Sequence, residues 1–190
     1  MTLFEFVSVM ISMILALSLG HLLDGLAFLV RSRDRVQWYT PHVLWSVALT
    51  FIVINHWWSL WDMREIEWSY ASFLYMLIAP VSLGFAVSLL APSRPESGPI
   101  NLEQHFGFAR QTFAAALTVY VLAMWFDGPL FAGQHVFGPI GLLHIPMLAA
   151  IMTLFNKGRV LAAIGPWIAI TGGILIFVVR YMSSLGWIAA

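Results

Sequence analysis

Apolar runs of about twenty residues recur along this chain, the length an α-helix needs to cross the hydrocarbon core of a bilayer. The first, "LFEFVSVMISMILALSLGHLLDGLAFLV" at residues 3–30, already exceeds it. Backbone polar groups in lipid must be satisfied internally, so only helices and closed barrels span membranes. These runs are continuous, whereas barrel strands alternate apolar and polar residues. Six spans are expected, at 3–30, 41–62, 68–91, 106–126, 137–156 and 160–180. They would form a single all-α membrane domain over residues 1–190, a six-helix bundle with no soluble domain. The longest connection, "PSRPESGPINLEQ", is polar and proline-punctuated, and reads as a loop. Any chemistry must therefore lie within the bilayer or at its edge.

Composition agrees. Charged residues are 9% of the chain, against about 25% in soluble domains. The formal net charge is zero, and nothing points to nucleic acid. The chain has no cysteine, which rules out disulfides, iron–sulfur clusters, thiolate nucleophiles and covalent haem attachment. Phosphate-binding glycine loops, H-E-x-x-H and G-x-S-x-G are absent too.

Orientation follows from Lys and Arg, which concentrate in cytoplasmic loops. Arg31, Arg33, Arg35, Arg94, Arg110, Lys157 and Arg159 fall on one side, and only Arg64 and Arg180 on the other. Glu5, Asp62, Glu65, Glu67 and Asp127 group with that far side. Both termini are therefore expected outside, periplasmic for a bacterial inner membrane. The first run lacks a preceding basic residue and is followed by arginines, so it is expected to be a retained span rather than a secretory signal. Trp57, Trp58, Trp61, Trp68 and Trp125 would form the outer aromatic belt, and Trp38 and Tyr39 the inner one. Gly165, Ala169 and Gly173 recur every four residues on the last span, a close-packing pattern. Pro139, Gly141 and Pro146 in the fifth span, like Pro80 and Gly84 in the third, read first as packing features. Broken helices lining a cavity are the alternative.

The first span also carries His21 and Asp24, one turn apart and flanked by Gly20 and Gly25. At a rise of ~1.5 Å per residue, they lie about 7 Å and about 11 Å to the inner side of its middle. They are about 60° apart on the helical wheel, and Ser18 and Gly25 share their side. A central aspartate costs roughly 2.5–3.5 kcal/mol on insertion scales and less off-centre, so a partner or a wet cavity is expected. Asp24 with Arg110 would make an ion pair. Asp24 with His21 and His42 would make a proton-handling or metal-binding cluster. The plainer reading is a carboxylate that reaches headgroups near the interface. Glu5, Ser8 and Ser12 lie nearly opposite on the same helix. Polar groups on opposite faces suggest a central helix surrounded by protein; the cheaper account is serines bonding back to the helix and a surface Glu5.

A second polar group lies in the outer leaflet. His56, beside Asn55 in "INHWWSLWD", and His144, in "GLLHIPML", come out about 7 Å and about 4 Å outside the middles of their spans. Two histidines at similar depth suggest a proton relay, axial ligands of a b-type haem, or hydrogen bonds between helices. His42 and His56 are 14 residues apart. In that one respect the second span resembles diheme membrane cytochromes, and an inner haem would require His21 or His105. "LLDGLAF" and "WFDGPLF" echo each other at the ends of the first and fourth spans, a similarity too short to build on.

The expectation is a small membrane protein for transport or permeation of a solute or ion, proton-linked, and not an enzyme. Its site would be His21, Asp24, His42, His56 and His144, with Arg110 as an ion-pair partner and no cofactor. One alternative is a haem b or quinone-reactive electron carrier using His56 and His144. The other is an accessory or scaffold subunit of a membrane complex. The bilayer is the expected partner, together with a second copy or a complex subunit.

Overall fold

The structure, a computed structural model, describes residues 2–64, 66–92, 98–131, 133, 135–155 and 159–184. Arg94, Lys157 and Glu65, used above for orientation, lie outside the described residues. The fold is all-α. Helix α1 spans Leu3–Arg31, α2 Thr40–Ser59, α3 Tyr70–Leu90, α4 Leu102–Phe131, α5 Pro139–Leu142, α6 His144–Met152 and α7 Arg159–Ser184.

Local chemistry sets the ends. Thr2 and Glu5 form a reciprocal capping box, with the Glu5 N–H donating to Thr2 Oγ1 (3.2 Å) and the Thr2 N–H to Glu5 Oε2 (2.8 Å). Ser69 and Ser72 do the same for α3. Pro41 sits in the first turn of α2, where a missing N–H costs nothing. Helix α4 is longer than expected at both ends. Asn101 Oδ1 accepts from the Gln104 N–H (2.9 Å) and starts it early. At the other end, Asp127, Gly128 and Pro129 are carried inside the helix instead of ending it.

Four helical stretches are long and apolar enough to cross a membrane: α1, Thr40–Met63 (α2 with one following 3₁₀ turn), α3 and α4. The chain is thus an integral membrane protein by the length and composition of its helices. Among the described residues two further apolar stretches are shorter, His144–Phe155 and Ala163–Val179 within α7. The fifth expected span is a broken helix, α5, then α6 and a 3₁₀ turn over Thr153–Phe155. This is the cavity-lining alternative rather than plain packing. Pro146 falls in the first turn of α6, a position that tolerates proline, so a new helix begins at His144.

Helix α3 packs against α4, α1 and α2, and α7 packs against α2 and α6, with α6 also touching α4. Two contacts fix the directions. His42, at the start of α2, meets the carbonyl of Leu90 at the end of α3 (2.9 Å), and the Tyr75 hydroxyl near the start of α3 donates to the Ala123 carbonyl (2.8 Å). Helices α2 and α4 therefore run together and α3 runs against both. At one end Val36 and Gln37 pair in parallel with Ile100 and Asn101, which brings the loops before α2 and before α4 together. Mid-bundle, Leu15, Leu49, Leu83, Phe113 and Leu117 are at most 2% exposed and make a dry apolar layer.

Helix α1 is not the central element. Phe6, Val9, Met13, Leu17, Leu23 and Val30 are exposed, and only one face, with Ile11, Leu15, Ser18, Leu22 and Gly25, is buried. That face crosses α3 closely: a Cβ at Gly84 would meet Ser18 Oγ at 2.8 Å. Glu5 and Ser8 serve the helix itself, as cap and back-bond. Ser12 instead accepts from the indole of Trp57 (3.2 Å). The small residues of α7 do pack: Gly165 lies against Thr153 and the Ala150 carbonyl, and Gly173 against the Phe51 ring.

Candidate functional site

The half of the bundle holding the end of α2 and the start of α3 contains a small chamber with a few polar groups in a mostly apolar lining. The buried stripe of α2 repeats at helical spacing through Trp45, Leu49, Ile52, His56 and Ser59, and places His56 inside, 5% exposed. A matching stripe on α4, Phe113, Leu117, Tyr120, Met124 and Asp127, faces it. The rings of His56 and Tyr120 are 5.7 Å apart. The break before α6 delivers His144, 6% exposed, from a third direction.

His56 lines two pockets. One, of about 60 Å³, is also lined by Asn55, Ser59, Tyr120, Met124 and His144. The other, of about 20 Å³, is lined by Ser59, Tyr75, Met124 and Asp127. A water needs roughly 10–15 Å³ of such space, so both are water-sized and line polar groups able to hold water. The expected pair His56 and His144 therefore does come together in one pocket.

A haem does not fit there. Pockets that bury an organic ligand run to about 300–1,000 Å³, far above the 60 Å³ beside these imidazoles.

Asp127 is the residue that sequence reasoning missed. Counted among outer-side acids, it is instead 7% exposed, because α4 continues past it and turns it inward. It lines the same small pocket as Tyr75. The signal was present in the stripe Phe113, Leu117, Tyr120, Met124, Asp127, which keeps the helical period through the "DG" that resembles a stop. Trp125, expected in the aromatic belt, is likewise half-buried and bonded to the Val136 carbonyl (2.8 Å). Trp57, Trp58 and Trp61 are exposed, as a belt requires.

His21 and Asp24 lie elsewhere. Both are exposed on the outward face of α1, along an open groove with Met13, Ala16, Leu17 and Gly20. Their companions by the wheel, Ser18 and Gly25, turn inward against α3 and Pro92. His42 is 1% exposed at the other end of the bundle. Its ring neighbours are the Leu90 carbonyl, His105 (6.0 Å) and Phe106 (6.4 Å). Arg110 is half-buried on α4. The five expected site residues thus fall into three places: a chamber near the end of α2, a histidine pair at the opposite end of the bundle, and an outward face of α1. Compared with known protein families, curated proteins and solved structures, the chain matches none.

Proposed function

We propose that this is a proton-linked transport or permeation protein of a bacterial inner membrane, with six spans and both termini on the outer side. Its proton site is His56 with Asp127 and His144. The observation that carries the reading is that His56 is shared by two water-sized pockets, one reaching His144 and the other Asp127. Ionisable groups on membrane helices are expensive, and facing a polar cavity is what makes them usable. Imidazole can take a proton on one nitrogen and release it from the other, and a carboxylate beside it can hold the charge between steps.

Among the described residues, an apolar layer separates the chamber from His42. His56 and His42 are ~21 Å apart along α2, by ~1.5 Å per residue. The layer of Leu49, Leu83, Phe113 and Leu117 fills the level between them. Passage to the other side requires this layer to repack, which is the behaviour of a carrier with two states rather than a channel. The broken α5–α6 segment beside the chamber is the element suited to move.

The test is proton flux in sealed vesicles containing a pH-sensitive dye, after an imposed pH step. Vesicles with the intact chain should relax faster than protein-free ones, and His56→Asn should return them to the protein-free rate. Equal rates for intact chain and empty vesicles would overturn the reading and leave the accessory-subunit alternative.

A further inference from the structure

The inner histidine pair has the chemistry of a ligand site separate from the chamber. His42 Nε2 faces the Leu90 carbonyl at 2.9 Å. A carbonyl only accepts, so Nε2 carries the hydrogen and donates. The neutral ring then presents Nδ1 as a bare lone pair. That nitrogen is buried and has no hydrogen-bond partner among the described residues, and the same holds for His105 Nε2. An imidazole N–H anchored on a backbone carbonyl, with the other nitrogen left open, is the usual second-shell arrangement of a metal-binding histidine.

The two rings are 6.0 Å apart between centroids, with their planes at 67°. A direct N–H···N hydrogen bond would bring the centroids to about 5.1 Å, from ~2.9 Å between nitrogens plus ~1.1 Å from each nitrogen to its ring centre. One metal ion between the nitrogens, at ~2.0 Å from each, gives a centroid separation of about 6.2 Å. The observed 6.0 Å exceeds the direct-bond spacing and leaves room for one ion where the two open nitrogens are turned toward one another. The twist between rings is no obstacle, because a linear N–metal–N unit leaves rotation about its axis free.

The surroundings narrow the ion. Zinc takes four ligands in a closed site. No third His, Cys, Asp or Glu joins this pair among the described residues. Tyr39 and Phe106 pack around it as an apolar wall, with Phe106 2% exposed and its ring 5.8 Å from that of Tyr39. Two neutral nitrogens in an apolar setting suit a soft monovalent d¹⁰ ion, which is content with two-coordination and brings a single charge to bury. Imidazole is a good copper ligand. Access is available through a cleft at the end of the bundle, lined by His105 with Pro92, Pro99, Asn101, Gln104 and Phe108.

We propose that His42 Nδ1 and His105 Nε2 together bind one Cu(I) ion at the inner end of the bundle. No redox step is implied, since the ion enters and leaves as Cu(I) and both imidazoles stay neutral. The proposal does not depend on the proton-site reading.

The experiment is anaerobic titration of the detergent-purified full chain with Cu(I), in competition with a chromophoric Cu(I) chelator, and X-ray absorption on the loaded protein. The expected result is one tightly held Cu(I) with two nitrogen neighbours and no sulfur, despite nine methionines in the chain. His42→Gln, which keeps a donor toward Leu90, and His105→Asn should each weaken binding at least tenfold. His56→Asn should leave it unchanged. Absence of Cu(I) binding by the intact chain, sulfur at the metal, or full retention in both variants would each overturn the site. Should a variant fail to fold, the absorption spectrum of the intact protein still decides.

Discussion

The indole of Trp125 lies parallel to the imidazole of His144, with centroids 6.1 Å apart and planes 6° from one another. The same indole donates its N–H to the Val136 carbonyl at 2.8 Å. One side chain on α4 therefore holds the turn before the helix break and sets the ring that the break delivers. Trp125→Phe keeps an aromatic face and loses the donor. The net cost of one such hydrogen bond is about 0.5–1.5 kcal/mol. A lowered melting temperature in detergent is expected, together with slower proton flux. Unchanged flux would show that Trp125 does not position His144.

Gly141 has no room for a side chain. A Cβ there would overlap the Val136 carbonyl oxygen and come within 3.2 Å of Trp125 Nε1. Backbone cannot yield cheaply, so Gly141→Ala should sharply reduce membrane abundance and melting temperature. Gly20→Ala is the matched control, because nothing lies within 4 Å of its Cβ position. It should be neutral or mildly stabilising, since alanine is favoured over glycine within helices by about 0.8–1.0 kcal/mol. Equal effects at both positions would contradict the described turn.

The crossing of α1 and α3 can be tested as a pair. A Cβ on Gly84 meets Ser18 Oγ at 2.8 Å, and that hydroxyl is bonded to the Ile14 carbonyl. Overpacking of this kind costs roughly 1–3 kcal/mol. Gly84→Ala should therefore destabilise, and adding Ser18→Ala should recover most of the loss by removing the obstructing oxygen. Additive losses, measured by thermal unfolding in detergent, would mean the two residues do not touch.

Asp127 and the α1 pair should separate in vesicle assays. Asp127→Asn preserves size while removing the titratable carboxyl, and should abolish proton flux. His21→Ala and Asp24→Asn, on the outward face of α1, should keep most of it. Loss of flux in the α1 variants with abundance maintained would move the site to that helix.

The proposed orientation can be read by chemical labelling, because the chain has no native cysteine to interfere. Single cysteines at Trp61 and at Phe108, exposed at opposite ends of the bundle, should respond oppositely to a membrane-impermeant maleimide applied to intact cells. Trp61→Cys should react from outside, and Phe108→Cys only after permeabilisation. The reverse pattern would invert the topology.

The membrane class, the all-α fold and the centres of four spanning helices were legible in the order of residues. Each follows from a local quantity: the length of an apolar run, or the need to satisfy backbone groups in lipid. The pairing of His56 with His144 was legible in part, as similar depth on two helices. What a linear pattern could not supply is which way each face turns once helices choose neighbours. His21 and Asp24 share a wheel sector with Ser18 and Gly25, yet the fold divides that sector, because Ser18 and Gly25 are small enough to seat against α3 and Pro92. Asp127 looked like a loop acid until α4 ran on through Pro129 and carried it inward. His42 met His105 only because α2 and α4 run side by side from paired loops. Depth along a helix is a property of sequence position. Facing is a property of packing, and packing is settled between segments far apart in the chain.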